Sequence, residues 1–297
     1  MTVIRATDYA YSGGWQGVTM DKEKFQLRHA VDKFFGTEEG FAVINKEQTT
    51  IVDEIKSVVR RWTERDTKRK NVFAELKRLK LMVCGGTINS IFTNSTINDL
   101  DFYMKDPSLL NECKLFLKEY FPDIEIETIN AMTYKRKALR SNKRWTAQLI
   151  TRFTGEANDI FNWFDFTITH GAYDFETEEF IFGDRFFSDL AKRRLVYSGA
   201  SKYPICAMYR TKKYVARGYE LPGATIMHIT LSIVQLKIES YKDLKEQLMG
   251  IDTMYLQKLL EAKQPDAPVN YGEFIYEAFQ TIDRITGATQ AEGDEDE

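Results

Sequence analysis

From residue 81 to residue 169 apolar positions cluster in short strand-like runs, over 47–79 and beyond 182 they recur mainly at steps of three and four, and the first forty-five residues are mixed in pattern. The pattern predicts a central sheet with flanking helices. Ile51, Ile55, Val58, Val59 and Trp62 mark a helix over 47–62, and Val72, Phe73 and Leu76 mark another over 67–79. Strand runs follow at 81–84, 100–104, 124–128, 146–153 and 164–169, the third alternating strictly as a half-buried strand does. Between them, Leu109, Leu110, Cys113, Leu115, Phe116 and Tyr120 give 107–120 a helical period. A short hairpin is expected over 173–182. Beyond it the chain reads as helix, most clearly over 225–248, where Met227, Leu231, Val234, Ile238, Tyr241, Leu244 and Leu248 form a stripe expected to be buried.

Composition adds little to this pattern but excludes several classes. With 17 Gly and 6 Pro in 297 residues, loops should be few. The three cysteines are widely spaced and unpaired in motif, so neither a disulfide framework nor a zinc site is suggested. No apolar run is long enough to cross a membrane, and the start lacks a leader pattern, so a soluble, cytoplasmic protein is expected. The net charge of -3 is dominated by the acidic end at 291–297, expected to be a solvated, disordered tail.

The chemistry is concentrated in 81–104, which reads strand, Gly85-Gly86 turn, helix, strand. Glycines there let a ligand approach the backbone, and amides around Thr87 to Ser90 would favour a phosphate. Asp99 and Asp101, two apart on a strand, project to one face, while Leu100 and Phe102 point to the other. Neighbouring carboxylates repel unless a cation lies between them, and hard oxygen donors suit Mg2+ or Mn2+. Asp165, flanked by Phe164 and Phe166 on a run of strand character, is a third acid. Three such acids with a glycine turn are what two-metal phosphoryl transfer requires.

On these residues the chain resembles the DNA polymerase beta nucleotidyltransferase superfamily, whose motif is an apolar strand, a Gly-Gly or Gly-Ser turn, Asp-x-Asp, and a later apolar-Asp-apolar strand. Gly85 and Gly86 match the turn, Asp99 and Asp101 the pair, and Asp165 the third acid. The resemblance implies that the pair binds both metals and that Asp165, the third expected metal ligand, completes the site activating the acceptor hydroxyl. Gly86 stands where many members have Ser, and Thr87 could supply a hydroxyl in its stead. Gln148-Leu-Ile-Thr-Arg-Phe153, Trp163-Phe-Asp-Phe-Thr167 and Ser201-Lys-Tyr-Pro-Ile-Cys206 also resemble nucleotidyltransferase-like proteins of large bacteriophages.

Two basic sets are candidates for phosphate contacts. Lys135, Arg136, Lys137, Arg140, Lys143 and Arg144 crowd a segment expected to be a loop that holds an RNA acceptor. Lys202, Lys212 and Lys213, with Gly85, Gly86, Thr87 and Ser90, are expected at the nucleotide, because superfamily members often bring Lys from a helical region after the third Asp to the triphosphate. His170 and Cys84 are expected to be buried packing residues. The resulting expectation is an α+β fold: a nucleotidyltransferase-type mixed sheet with flanking helices and a mainly helical C-terminal half. Its parts are an N-terminal segment (1–80), a catalytic core (81–185), a helical region (186–288) and the tail (289–297). The implied activity is transfer of a nucleoside monophosphate from a nucleoside triphosphate to an acceptor hydroxyl, RNA first. Protein or small-molecule acceptors, and a noncatalytic nucleic-acid-binding protein keeping the fold, are the competing readings.

Overall fold

A computed structural model describes residues 3–5, 21–35, 67–128, 130–137, 144–248, 259–278 and 280. The helix expected over 47–62 and the acidic tail lie outside the described residues. The chain divides into two compact units, Met1–Lys192 and Arg193–Glu297.

In the first unit the described residues form one eight-stranded mixed sheet in the order β1-β8-β7-β2-β3-β6-β5-β4. The strands are β1 (Val3–Arg5), β2 (Leu81–Cys84), β3 (Asp99–Met104), β4 (Ile124–Glu127), β5 (Ala131–Lys137), β6 (Arg144–Thr154), β7 (Gly171–Asp174) and β8 (Glu179–Gly183). Only the β3–β6 pair is parallel. The expected mixed α/β architecture with flanking helices is therefore the one observed.

Alternation assigns the faces. On the back, Leu81 and Val83 of β2, Leu100, Phe102 and Met104 of β3, Met132 and Tyr134 of β5, and Trp145, Ala147 and Leu149 of β6 enter the main core. Helices that pack into it include α1 (Asp21–Phe35), α2 (Thr67–Arg78), α3 (Gly86–Phe92) and α4 (Leu110–Tyr120). On the front, Met82, Cys84 and Tyr103 join a smaller cluster with Ile160 and Phe161 of α5 (Ala157–Phe161). The first unit closes with α6 (Phe186–Ala191). Asp99 and Asp101 share the front face with Tyr103.

Three local expectations need correction. Residues 164–169 are not a strand: Asp165 sits in a bend and Thr167–Thr169 form a 3-10 turn. The supposed basic loop is partly strand, because Lys135, Arg136 and Lys137 belong to β5 and pair with Thr146, Trp145 and Arg144 of β6. In the second unit, after α7 (Pro204–Ala216), the expected long helix is two: α8 (Gly223–Val234) and α9 (Tyr241–Gln247). A capping box separates them, Ser240 Oγ accepting from the Asp243 amide while the Asp243 carboxylate accepts from Ser240 N and Oγ. The stripe splits accordingly. Tyr241 and Leu244 are buried with Leu260 and Phe274, whereas Met227, Leu231 and Val234 are 60%, 53% and 74% exposed.

Candidate functional site: an aspartate pair beside a glycine turn

β2 ends at Cys84 and the chain turns through Gly85 with φ 73°, a conformation that disfavours any residue with a Cβ. A Cβ here would also meet the Phe164 ring at 3.3 Å. The turn is tied to the sheet by the Gly85 amide, which donates to Gly171 O at 2.9 Å. Gly86 is different: a Cβ would find nothing within 4 Å, so the Ser of related motifs fits the space. Thr87, buried on the first turn of α3, donates its hydroxyl to the Asp99 carbonyl at 3.2 Å. That bond joins α3 to the start of β3. Ser90 is buried in the same helix.

Asp99 and Asp101 lie half-buried on the front of β3, in register with Thr146 and Gln148 of β6. Those two are in turn in register with Lys135 and Thr133 of β5. Residues paired in register share a face. Two polar rows therefore cross the front of the sheet, Asp99–Thr146–Lys135 and Asp101–Gln148–Thr133. With neighbouring strands about 4.8 Å apart, Lys135 stands roughly 10 Å from the aspartates along the sheet. Arg136 has the opposite orientation. Its guanidinium donates to Phe34 O at 3.0 Å and Lys33 O at 2.9 Å, closing the C-terminal end of α1. Arg144 is exposed at the start of β6, opposite Lys137, while Arg140 and Lys143 lie outside the described residues.

Asp165 is 4% exposed. The preceding residue, Phe164, packs edge-on against Tyr103 at 5.8 Å and reaches the Gly85 turn, so the chain enters Asp165 at the front-face end of the glycine turn. Oδ1 of Asp101 and Oδ1 of Asp165 are both shielded from solvent. Buried negative charge is costly without a compensating cation or hydrogen bonds, and carboxylate oxygens are the donors that Mg2+ and Mn2+ prefer, so the residues present fit such an ion. Among the described residues no three or more His, Cys, Asp or Glu side chains are grouped to hold a metal ion alone. Mg2+ commonly completes its shell with phosphate oxygens and water beside one or two carboxylates.

The electrostatics around the turn are those of a packed wall. Burial first, then the charges of Asp101 and Asp174, push the Cys84 thiol well above its ordinary range, so Cys84 is no nucleophile at neutral pH. His170 is buried and stacks on Phe161 at 5.5 Å. Burial lowers its pKa to about 4, against the opposing influence of the Phe164 carbonyl and Asp165. Lys202, Lys212 and Lys213 are exposed in the second unit, the last two on α7. Asn89, Thr167, Arg185 and Asp189, which enclose the turn after Asp165, are absent from the expected site. The sequence signals for them are the place of Thr167 in the motif 163–167 and the Arg-x-x-x-Asp spacing of 185 and 189.

In class, fold and site describe a mixed α/β sheet that presents a carboxylate pair beside a tight glycine turn. More particularly, the family model for the Gabija anti-defense 2 family matches residues 53–193. A protein of Bacillus phage SPbetaL7 described as Gabija anti-defense 2 is 32% identical over 192 residues, 64% of this chain and 46% of the relative. The chain therefore spans about half the length of that curated relative. Similar solved structures include the Thermotoga maritima CCA-adding enzyme complexed with tRNA (TM-score 0.44, 14% identity, 68% of this chain and 49% of that one). A CCA-adding enzyme with CTP is another (TM-score 0.45, 18% identity, 71% and 50%). Among the described residues no helix is long and apolar enough to cross a membrane.

Proposed function

We propose that the chain is a metal-dependent nucleotidyltransferase that moves a nucleoside monophosphate from a nucleoside triphosphate to an acceptor hydroxyl, RNA being the favoured acceptor. The observation that carries this reading is the same-face pair Asp99 and Asp101, held on β3 next to a turn whose conformation requires Gly85. Asp99 and Asp101 would hold Mg2+ or Mn2+, which when bound supplies charge neutralisation for the triphosphate and the departing pyrophosphate. The Gly85-Gly86 backbone, with no side chain in the way, admits the phosphates. Asp165 acts on the acceptor side, where its carboxylate orients the attacking hydroxyl. The hydroxyl oxygen bonds to the α-phosphorus as the bond to pyrophosphate breaks, and the hydroxyl proton is lost to a base.

Lys135 and Lys137 favour RNA, because strand alternation sets both on the face that carries the aspartates. Lys202, Lys212 and Lys213 are proposed for the triphosphate. The description shared by the family model and the phage relative is carried over as part of the proposal: the transfer would act against the Gabija defence, in the host cytoplasm. The test is incubation with each α-labelled nucleoside triphosphate, Mg2+ or Mn2+, and a host-cell extract. Label in RNA supports the full reading, label in protein or small molecules keeps the reaction and replaces the acceptor, and no label in any fraction rejects it.

A further inference from the structure

The stretch from Asp165 to Gly171 is gripped from two sides by groups that the transfer reaction itself does not use. From one side, Asn89 of α3, 1% exposed, donates its amide to Ile168 O at 3.1 Å. From the other, Asp189 of α6, 2% exposed, accepts the Thr167 hydroxyl at 2.7 Å. Asp189 is itself fixed by a two-pronged bond from Arg185, Nε at 3.0 Å and Nη2 at 3.1 Å. Both helices then close on Gly171, where a Cβ would meet Ile88 of α3 at 2.7 Å and Phe186 of α6 at 3.0 Å. Inside the grip the turn is bonded to itself, with Thr169 N and Oγ1 both donating to Phe166 O.

A surface turn needs none of this. Burying the Asp189 carboxylate is costly unless it is well hydrogen-bonded, and here a bidentate guanidinium and the hydroxyl of Thr167, only two residues from Asp165, give it three bonds. The tie through Asn89 makes the glycine-turn helix and the Asp165 turn one body, so a donor lodged at the turn and the acid that faces the acceptor keep a fixed separation.

We infer that Asn89 and Asp189 are positioning residues that lock the turn carrying Asp165 to the glycine-turn helix α3 and to α6. Its catalytic consequence rests on the nucleotidyl-transfer reading, whereas the lock itself does not. The test uses the full chain and the near-isosteric pair Thr167→Val and Thr167→Ser, with Asn89→Ala as a second cut. Hydrogen exchange of amides 166–170 is expected to rise about 10-fold or more in Thr167→Val and Asn89→Ala, to return towards wild type in Thr167→Ser, and to stay unchanged in α1. Unchanged protection at 166–170 in Thr167→Val would overturn the lock.

The kinetic arm reads the consequence. A displaced catalytic group costs on the order of 10²-fold in kcat, so Thr167→Val should lower kcat by that order with KM for the nucleotide little changed, and Thr167→Ser should recover it. Normal kcat alongside raised exchange overturns the catalytic role. If wild type transfers no nucleotide at all, the functional reading fails and the exchange result still decides the lock.

Discussion

Gly85 and Gly86 are neighbours with opposite demands. At Gly85 a methyl group would be strained by φ 73° and pressed on Phe164, so Gly85→Ala should cost about 1–3 kcal/mol. At Gly86 it would enter open space, so Gly86→Ser should stay within about 0.5 kcal/mol of wild type. Urea unfolding of both variants checks this, and equal losses would contradict the assigned turn. His170 gives a pH-dependent counterpart. Its folded pKa of about 4 lies below the 6.5 of an exposed histidine, so between these values the unfolded chain binds a proton that the folded chain refuses. The stability involved is fully present above about pH 6.5 and is lost as pH falls towards 4, by up to about 3 kcal/mol. His170→Phe should flatten the stability profile in that window, and an unaltered slope would assign the effect to other groups.

Within elements, period decides what a side chain can do. The basic run on β5 is divided by alternation: Arg136 closes α1 from the back, while Lys135 and Lys137 face front. Arg136→Ala should therefore lower stability by about 1–2 kcal/mol and leave acceptor affinity unchanged. The double change Lys135→Ala and Lys137→Ala should do the reverse, flattening the salt dependence of RNA binding by roughly 0.7 in log-log slope for each phosphate no longer neutralised. Binding across several salt concentrations, with unfolding measured alongside, separates the two. RNA affinity that falls with Arg136 alone would refute the division. The capping box makes a similar local claim: Ser240→Ala should cost about 1 kcal/mol and raise amide exchange over Tyr241–Gln247. Its Ser-x-x-Asp spacing was readable in the sequence, but the continuous three-four stripe across 227–248 masks it. Apolar period reports which positions share a helix face and not whether one helix carries them, and the exposed Met227, Leu231 and Val234 show that such a stripe is also no guarantee of burial.

Across the whole molecule, features set by neighbours in the chain were legible and features set by distant pairing were not. The Gly85-Gly86 turn, the same-face projection of Asp99 and Asp101, and the mixed sheet with flanking helices follow from local spacing. The register that sets Gln148 beside Asp101, the split of the basic run, and the enclosure of the Asp165 turn by Asn89 and Asp189 depend on strand order and helix packing, which no single segment encodes. Asp165 shows the difference within one residue: its apolar flanks read as strand, yet the half-buried Phe164 and the buried Phe166 bracket a bend that leads into a 3-10 turn. What the architecture is for rests on one chemical claim, that the α-phosphorus of a nucleoside triphosphate is attacked at the Asp99–Asp101 pair. Parallel reactions with α-labelled and γ-labelled triphosphate, using wild type and Asp101→Asn with Mg2+, test it most directly. The account predicts that α-label enters the acceptor, that γ-label leaves only as pyrophosphate, and that Asp101→Asn stops both while remaining folded. Entry of γ-label into the acceptor, or undiminished transfer by Asp101→Asn, would contradict it.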